Sequence, residues 1–162
     1  CTRYKRGHIM RKILLVLLLI GFDAYGNERE CLAENVYFEA RGQGQAGWVA
    51  VAQVTLNRVQ DTRFPNTICE VVKQGLTYES GHPIKNKCQF SWYCDGKADE
   101  PQNENSWTKS VDHAVTMYSG GEWRGLTEGS THYHATYVSP SWAKEFTKIV
   151  QIGAHIFYRM EN

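Results

Sequence analysis

The sequence predicts a mostly helical α+β domain with a small irregular β portion. Apolar residues recur at helical spacing in three segments, residues 31–41, 46–59 and 106–118. From residue 131 the chain is instead typical of extended structure. No internal repeat or second domain is evident in the sequence. We therefore expect one domain in which helices dominate and strands come late.

The first predicted helix, CLAENVYFEAR, places one carboxylate on its apolar face. Leu32, Val36 and Glu39 fall at positions i, i+4 and i+7, so their side chains leave the same side of the helix. Glu30 and Glu34 lie mainly on other faces. Glu39 is therefore expected to point toward the core side, unlike its two neighbours.

The end of this helix favours a protonated Glu39. Gly42 and Gly44 are expected to stop the helix, since a glycine just past the last turn adopts the left-handed conformation without a Cβ clash. Glu39 then lies at the negative end of a helix dipole and beside apolar groups, which should raise its pKa. A carboxylic acid still protonated near neutral pH can donate a proton to a glycosidic oxygen. The simpler alternative is a solvated Glu39 paired with Arg41.

The second helix, from about Ala46 to Val59, is apolar on several sides and is predicted to be the buried central helix. Asn57 and Arg58 close it. For both we expect a structural role, either hydrogen bonding to loop carbonyl groups or pairing with a core acid. Residues 64–67, FPNT, are typical of a turn and a helix N-cap. A short helix should follow, with its inward residues being Ile68, Val71 and Val72.

The rest of the chain is less regular. The stretch from Gly75 to Gln102 is rich in turn-forming residues and is expected to be a binding loop or mobile. Helix returns at Ser106 and should end at Gly120. Its expected buried stripe is Trp107, Val111, Ala114, Val115 and Tyr118. After an extended segment from Thr131, the chain should turn at residues 139–141, and residues 149–158 should form a last strand or helix.

The N-terminal 26 residues resemble a targeting segment. Residues 10–26 have the charged, apolar and small-residue regions of a signal peptide, and residues 1–9 upstream of them are interpreted as extraneous sequence. An uncleaved membrane anchor is the alternative, although the apolar run is short for a bilayer. Residues 27–162, roughly 135 residues, are enough for one catalytic domain. The protein is therefore expected to be periplasmic or secreted, with no stable membrane insertion after cleavage.

Charge and cysteine content fit an exported domain. Beyond residue 26 the chain carries 13 basic and 16 acidic residues, which argues against nucleic-acid binding. Four cysteines remain there, and an even number in an exported chain favours two disulfides over a metal site. Three pairings are possible. Cys88 and Cys94 enclose the short loop QFSWY and suggest a local clamp, which leaves Cys31 to join Cys69.

Four stretches of the chain occur in the order and spacing of a known family. They lie between Cys31 and Tyr158 and read FEARGQGQAGWVAVAQVTLNRV, RFPNTICEVV, CQFSW and IGAHIFY. Together they resemble the cell-wall hydrolase family typified by bacterial spore cortex-lytic enzymes. The resemblance implies a peptidoglycan-cleaving domain with a fold akin to lysozymes and lytic transglycosylases. It also implies that the Glu of EARG, which is Glu39, is the catalytic acid.

The chain departs from this family at one position. The family often reads EARGE, whereas this sequence has Gln43 at the last position. We expect Gln43 to cap or orient the following loop, a task that an amide can perform as well as a carboxylate.

Two segments combine aromatic and polar side chains suited to sugar faces and hydroxyl groups. The first is the presumed disulfide loop, whose family counterpart resembles a wall of the glycan cleft. Its candidate substrate-binding residues are Gln89, Phe90, Ser91 and Trp92. Burial of Phe90 and Trp92 in the core is an equally good interpretation.

The second segment is THYHATYV, residues 131–138. His132 and His134 should share one strand face, with Tyr133, Ala135 and Tyr137 on the other. A tyrosine-bearing segment late in lysozyme-like transglycosylases borders the catalytic Glu, and HYHATY resembles it. The second set of candidate substrate-binding residues is Tyr133, His134 and Tyr137.

The predicted function is cleavage of peptidoglycan between N-acetylmuramic acid and N-acetylglucosamine, by a monomer that needs no metal or other cofactor. We favour a lytic transglycosylase with Glu39 as general acid and base, since one carboxylate suffices for it. A hydrolytic muramidase would need a second carboxylate. None of the acidic residues in plausible positions, Asp61, Glu70, Glu79 and Asp95, lies in a telling motif.

Two further alternatives remain open at this point. His132, His134 and His155 could bind zinc and make Glu39 the base of a peptidoglycan amidase or peptidase. A non-catalytic glycan-binding module would make Glu39 incidental.

Overall fold

The computed structural model describes residues 27–120 and 125–161, so the expected segments 1–9 and 10–26 lie outside the described residues. The predicted mostly helical α+β class is confirmed. Within the described ranges no helix is long and apolar enough to cross a membrane. The elements in chain order are α1 (27–40), α2 (Gln45–Gln60), α3 (Ile68–Val72), β1 (Gly75–Thr77), β2 (Pro83–Cys88), α4 (Glu104–Tyr118), β3 (His132–Ala135), β4 (Thr147–Ile152) and β5 (His155–Arg159).

Helix α1 ends directly after Glu39, as predicted, but by a different device. Neither Gly42 nor Gly44 adopts a left-handed conformation, and Gly44 has φ −73° and ψ 175°. The backbone N–H of Gln43 instead donates to the carbonyl of Ala40 over 2.7 Å, which closes a turn leading straight into α2. The expectation of a left-handed glycine cap was therefore wrong, because the short connection needs Gly44 extended at the start of α2.

Helix α2 is the buried centre of the domain, as predicted. Val51 and Ala52 are fully buried in a core that includes residues of α1, α3 and α4, whereas Val54, also fully buried, packs with Phe157 of β5. A buried polar chain also joins three elements. Nδ2 of Asn35 donates to Oγ1 of Thr55 over 3.0 Å, and Nε1 of Trp92 donates to Oδ1 of Asn35 over 3.0 Å. Because each of these hydrogen bonds is buried, the chain fixes the relative positions of α1, α2 and the loop that carries Trp92.

Helix α3 begins as predicted, with Oγ1 of Thr67 accepting from the backbone N–H of Glu70. Its inward residues Ile68, Val71 and Val72 are buried. The disulfide Cys31–Cys69 ties α3 to α1. This pairing confirms the one that the sequence favoured.

Helix α4 is rotated relative to the expected stripe. Ala114 and Met117 are buried, whereas Val115 is 38% exposed and the prediction that it faces the core was wrong. Positions 107, 110, 114 and 117 follow the helical period and share one face. Position 115 lies about 100° round the helix from position 114, away from that face. Gly120 ends this helix with φ 87°, so the left-handed glycine occurs here rather than after α1.

Two regions are more regular than expected. The stretch from residue 75 contains the antiparallel pair β1–β2 followed by a 3₁₀ helix, Ser91–Cys94, and the disulfide Cys88–Cys94 joins the two parts. The last part of the chain is a hairpin, β4–β5, rather than a single strand or helix. Gly153 turns it with φ 55°. With β3 it forms an antiparallel sheet in the order β3-β5-β4.

Gln43 connects this hairpin to the end of α1. Its Oε1 accepts a hydrogen bond of 3.1 Å from the backbone N–H of Ala154. Gln43 therefore orients the β4–β5 turn, and the prediction that it caps or orients the loop following it was wrong. A carboxylate oxygen could accept the same bond, so the departure from the family's EARGE leaves this contact intact.

Candidate active site

Glu39 opens onto a cleft of about 440 Å³ between α1, the disulfide loop and strands β3 and β5. Its position at the end of α1 is enforced by the apolar residues one and two turns before it, Leu32 and Val36, which are fully buried. All seven candidate substrate-binding residues also line the cleft, namely Gln89, Phe90, Ser91, Trp92, Tyr133, His134 and Tyr137. The structure therefore brings the two candidate segments together around Glu39.

The carboxyl group of Glu39 is held by Tyr133. The Tyr133 hydroxyl donates to Oε2 over 2.9 Å, and in the described residues this is the one hydrogen bond to the carboxyl group. Burial raises the pKa of Glu39, while the Tyr133 hydrogen bond and the charge of Arg58 partly oppose the rise. Arg41 lies instead over the ring of Tyr37 at 5.1 Å. The alternative of a solvated Glu39 paired with Arg41 was therefore wrong.

Tyr133 is a suitable permanent donor to Glu39. Its own burial, followed by the nearby Glu39 charge, keeps its pKa well above the ordinary value. It therefore remains protonated at every pH at which Glu39 titrates. One carboxyl oxygen is thus fixed and the other, Oε1, is left for a substrate.

Glu39 is the single carboxylate among the described residues that line the cleft. Asp61 pairs with Arg63 at 2.6 Å and Asp95 pairs with Lys97 at 3.3 Å. Glu70 accepts from the Thr67 hydroxyl, and Glu79 is exposed on the β1–β2 hairpin. None of the four sequence candidates therefore supplies a second carboxylate to this site.

The disulfide loop contributes both core and cleft residues. Phe90 is 2% exposed and Trp92 is 8% exposed, and the Trp92 indole stacks on Phe38 with 4.6 Å between ring centroids. Their main contribution is thus to the core, with limited surface at the cleft floor. Gln89 and Ser91 alternate with them and are exposed. These two polar residues are the better candidates in this loop for contact with sugar hydroxyl groups.

Strand β3 has the predicted alternation. The rings of His132 and His134 pack on Trp142 at 5.4 and 5.6 Å, whereas Tyr133 faces Glu39. The strand ends at Ala135, so Tyr137 lies in the turn beyond it and is 87% exposed at the cleft rim. An aromatic ring so exposed at a cleft rim is suited to stacking on a sugar.

The three histidines of the zinc alternative do not converge. His155 is opposite Ala135 in register and its ring contacts Tyr133 at 5.1 Å, on the Glu39 side of the sheet. His132 lies on the other side against Phe146. In the described ranges no three His, Cys, Asp or Glu side chains cluster as metal ligands. The proposed ligand set therefore does not exist in this fold.

Burial keeps two of these rings neutral. It lowers the pKa of His132 to about 4, and the Arg58 and Arg63 charges add to this effect. It likewise lowers the pKa of His155, with His134 contributing. Nδ1 of His155 is buried and has no hydrogen-bond partner in the described residues.

Sequence reasoning did not place Arg58 in the cleft, and it offered His155 there only as a zinc ligand. It did predict the structural contacts that close α2. Nδ2 of Asn57 donates to the carbonyl of Ser130 over 2.9 Å, and Nε of Arg58 donates to that of Thr131 over 2.7 Å. The signal for Arg58 was available, because Val51, Val54 and Arg58 share the buried face at i, i+3 and i+7.

A mostly helical α+β domain with a buried acid at a helix end, facing a cleft walled by a small sheet, belongs to the class of lysozyme-like glycan-cleaving folds. The sequence profile described as Cell Wall Hydrolase matches residues 42–158. The chain belongs to this family. The match begins just after Glu39, at the turn that follows α1.

Curated relatives and solved structures agree with this assignment. The chain is 29% identical over 131 residues to the spore cortex-lytic enzyme of Bacillus subtilis (strain 168), covering 81% of this chain and 37% of the relative. It is 30% identical over 132 residues to that of Halalkalibacterium halodurans, covering 81% and 34%. The chain thus spans about a third to two fifths of these relatives' lengths.

Two solved catalytic domains match nearly in full. The catalytic domain of the germination-specific lytic transglycosylase SleB from Bacillus anthracis superposes with a TM-score of 0.59 at 30% identity, over 82% of this chain and 94% of that domain. The catalytic domain of the Bacillus cereus SleB protein gives 0.58 at 28% identity, over 83% and 91%. The predicted lytic-transglycosylase-like fold is confirmed.

Proposed function

We propose that this domain cleaves the glycan strands of peptidoglycan as a lytic transglycosylase, at the bond between N-acetylmuramic acid and N-acetylglucosamine, with Glu39 as general acid and base. The observation that carries the proposal is the Glu39 carboxyl group, which is the single one among the described residues lining the cleft, has a raised pKa and has one oxygen fixed by Tyr133. The similarity to the SleB catalytic domain, named a lytic transglycosylase, supports the same reaction.

The first step uses the protonated form of Glu39. Burial raises the pKa of Glu39 and so favours its protonated form, and Oε1 donates the proton to the glycosidic oxygen as that bond breaks. The leaving sugar departs with the proton and Glu39 becomes a carboxylate. Tyr133 keeps donating to Oε2, which stabilises this negative charge.

The second step uses the carboxylate as a base. Glu39 removes the proton from the C6 hydroxyl of the muramic acid residue, and that oxygen bonds to the anomeric carbon to close a 1,6-anhydro ring. The hydroxyl belongs to the same sugar, so it has a large advantage over water. Glu39 is then protonated again for the next cycle.

The surrounding residues are proposed to bind the strand. Gln89, Ser91 and His134 offer polar groups along the cleft, and Tyr133 and Tyr137 offer aromatic surface. Phe90 and Trp92 form the apolar floor that limits water near Glu39.

We also propose that the domain acts outside the cytoplasm, in the periplasm or after secretion, as a monomer on glycan strands. Residues 10–26 would be the signal peptide and residues 27–162 the catalytic domain. The signal-like sequence and the two disulfides, which persist in oxidising compartments, support this location. N-terminal sequencing of the exported protein tests the cleavage site after Gly26.

The class of reaction can be tested by the fragments released from purified peptidoglycan. A glycosidase releases disaccharide units that still carry their peptides, whereas an amidase leaves glycan strands intact and releases free peptides. We expect disaccharide-peptides, and we expect activity to persist in EDTA because no metal-ligand cluster faces Glu39 within the described residues. Free peptides, or loss of activity in EDTA with recovery on adding zinc, would contradict the proposal.

A further inference from the structure

Arg58 carries a buried charge without a direct counter-ion. Its side chain lies between the rings of Phe64 and Phe90, with the guanidinium carbon 5.2 and 5.0 Å from their centroids. The residue is 4% exposed, and Nη1 is buried with no hydrogen-bond partner. The ion pairs of the described residues are Arg63–Asp61, Lys97–Asp95 and Arg159–Glu161, so none includes it.

Burial of an unpaired charge lowers the free energy of unfolding, so we expect such a charge to have a use. A guanidinium does not lose its proton in proteins, and a buried charge is normally paired. The two aromatic rings and the Thr131 carbonyl compensate part of the desolvation. Arg58 lines the same cleft as Glu39, and the two residues interact electrostatically.

The other groups that face Glu39 contribute little fixed charge. Tyr133, from β3, stays neutral because its pKa is raised, and His155, from β5, is neutral because burial lowers its pKa. His134, at the cleft edge, shares a 3.0 Å hydrogen bond with the Tyr158 hydroxyl. Arg41, the residue directly after α1, lies over the ring of Tyr37. Among the described residues that line the cleft with Glu39, Arg58 is thus the only one with a permanent charge.

We propose that Arg58 is a positioning residue whose permanent charge balances the burial of Glu39, so that one carboxyl group can be both protonated for cleavage and ionised for removal of the C6 proton. The proposal rests on the proposed function of Glu39. Burial alone would favour the protonated form and impede the second step. A neighbouring positive charge restores the carboxylate without touching the substrate.

Three variants separate the charge of Arg58 from its structural contacts. Arg58→Gln removes the charge, and Arg58→Lys keeps it while losing the planar guanidinium. Asn57→Ala is the matched control, because Asn57 tethers the same loop through Ser130 but is uncharged and does not line the cleft. Each variant is compared with wild type for melting temperature and for the pH dependence of kcat/KM on soluble glycan fragments.

The expected shift follows from the sign of the charge. The acid step requires protonated Glu39, so kcat/KM falls as pH rises through the pKa of Glu39. Removing a nearby positive charge raises the pKa of Glu39, so in Arg58→Gln the pH at which kcat/KM falls should be higher by about one unit. The same variant should have a lower kcat at its optimum pH. Arg58→Lys should keep the fall near the wild-type pH. Asn57→Ala should lower the melting temperature without moving the fall.

Nuclear magnetic resonance gives a second test that does not depend on activity, and its first part needs no substitution of Arg58. The side-chain Nε–H resonance of Arg58 should shift with pH in wild type, tracking Glu39, and should lose this titration in Glu39→Gln. Carboxyl-carbon resonances of labelled glutamate give the pKa of Glu39 in each folded variant. An unshifted Glu39 pKa in Arg58→Gln, or an Arg58 resonance that ignores Glu39, would overturn the inference. Wild type without glycan-cleaving activity would instead contradict the proposed function.

Discussion

Glu39→Gln is expected to keep the fold and to lose at least about a hundredfold in rate, since general acid catalysis contributes about 10² to 10⁴. Gln has nearly the same shape and its carbonyl can still accept the Tyr133 hydrogen bond. It cannot donate a proton as an acid or receive one as a base, so both proposed steps fail. Turbidity clearance of purified peptidoglycan and the melting temperature give the two readouts.

The matched control is Glu34→Gln on the same helix. Burial also raises the pKa of Glu34, with the Glu30 charge adding to it, yet Glu34 does not line the cleft. This variant should clear peptidoglycan at close to the wild-type rate. Equal losses in both variants would point to a general effect on α1, and a nearly active Glu39→Gln would show that another group is the acid.

Loss of the two disulfides should have separable effects. In the chain-entropy account, the bridge Cys31–Cys69, with a sequence separation of 38, stabilises by about 4 kcal/mol, and Cys88–Cys94, with a separation of 6, by about 2 kcal/mol. The double alanine variant of the first pair should therefore melt at the lower temperature. The double alanine variant of the second pair should mainly lose clearance rate, with a smaller change in melting temperature, because its loop lines the cleft.

Both disulfide variants can be compared in one experiment. Melting temperature and clearance rate are measured for each, and alkylation of the unreduced protein counts the thiols of these four cysteines. We expect none of the four to react. Four reactive thiols, or the reverse order of the two melting temperatures, would contradict this account.

The sequence predicted best what depends on local helical geometry. The spacing of Leu32, Val36 and Glu39 suffices to place an acid on a buried face, because the helical period fixes which side chains share a side. The cap at Thr67 and the pairing of Cys88 with Cys94 were equally local. Which face of α4 is buried was not determined locally, because an apolar side chain at position 115 or at position 117 fits an amphipathic helix. Tertiary packing selected Met117 for the core.

The composition of the cleft depends on contacts distant in sequence. Glu39 and Tyr133 are 94 residues apart, and no local pattern fixes their 2.9 Å hydrogen bond. Phe90 and Trp92 illustrate the same limit, because an aromatic side chain in a constrained loop can face either core or solvent. Arg58 was predicted to bond a loop carbonyl, which it does, but its proximity to Glu39 follows from how α2 packs against α1 and β3.

The chemical nature of the new chain ends tests the central claim most directly. Purified peptidoglycan is digested in water enriched in oxygen-18, and the muropeptides are analysed by mass spectrometry before and after borohydride reduction. If the C6 hydroxyl is the nucleophile, the products should carry 1,6-anhydro ends, contain no oxygen-18 and resist reduction. Reducible muramic acid ends that carry oxygen-18 would contradict this account and identify a hydrolytic muramidase, and reducible N-acetylglucosamine ends would show that a different bond is cleaved.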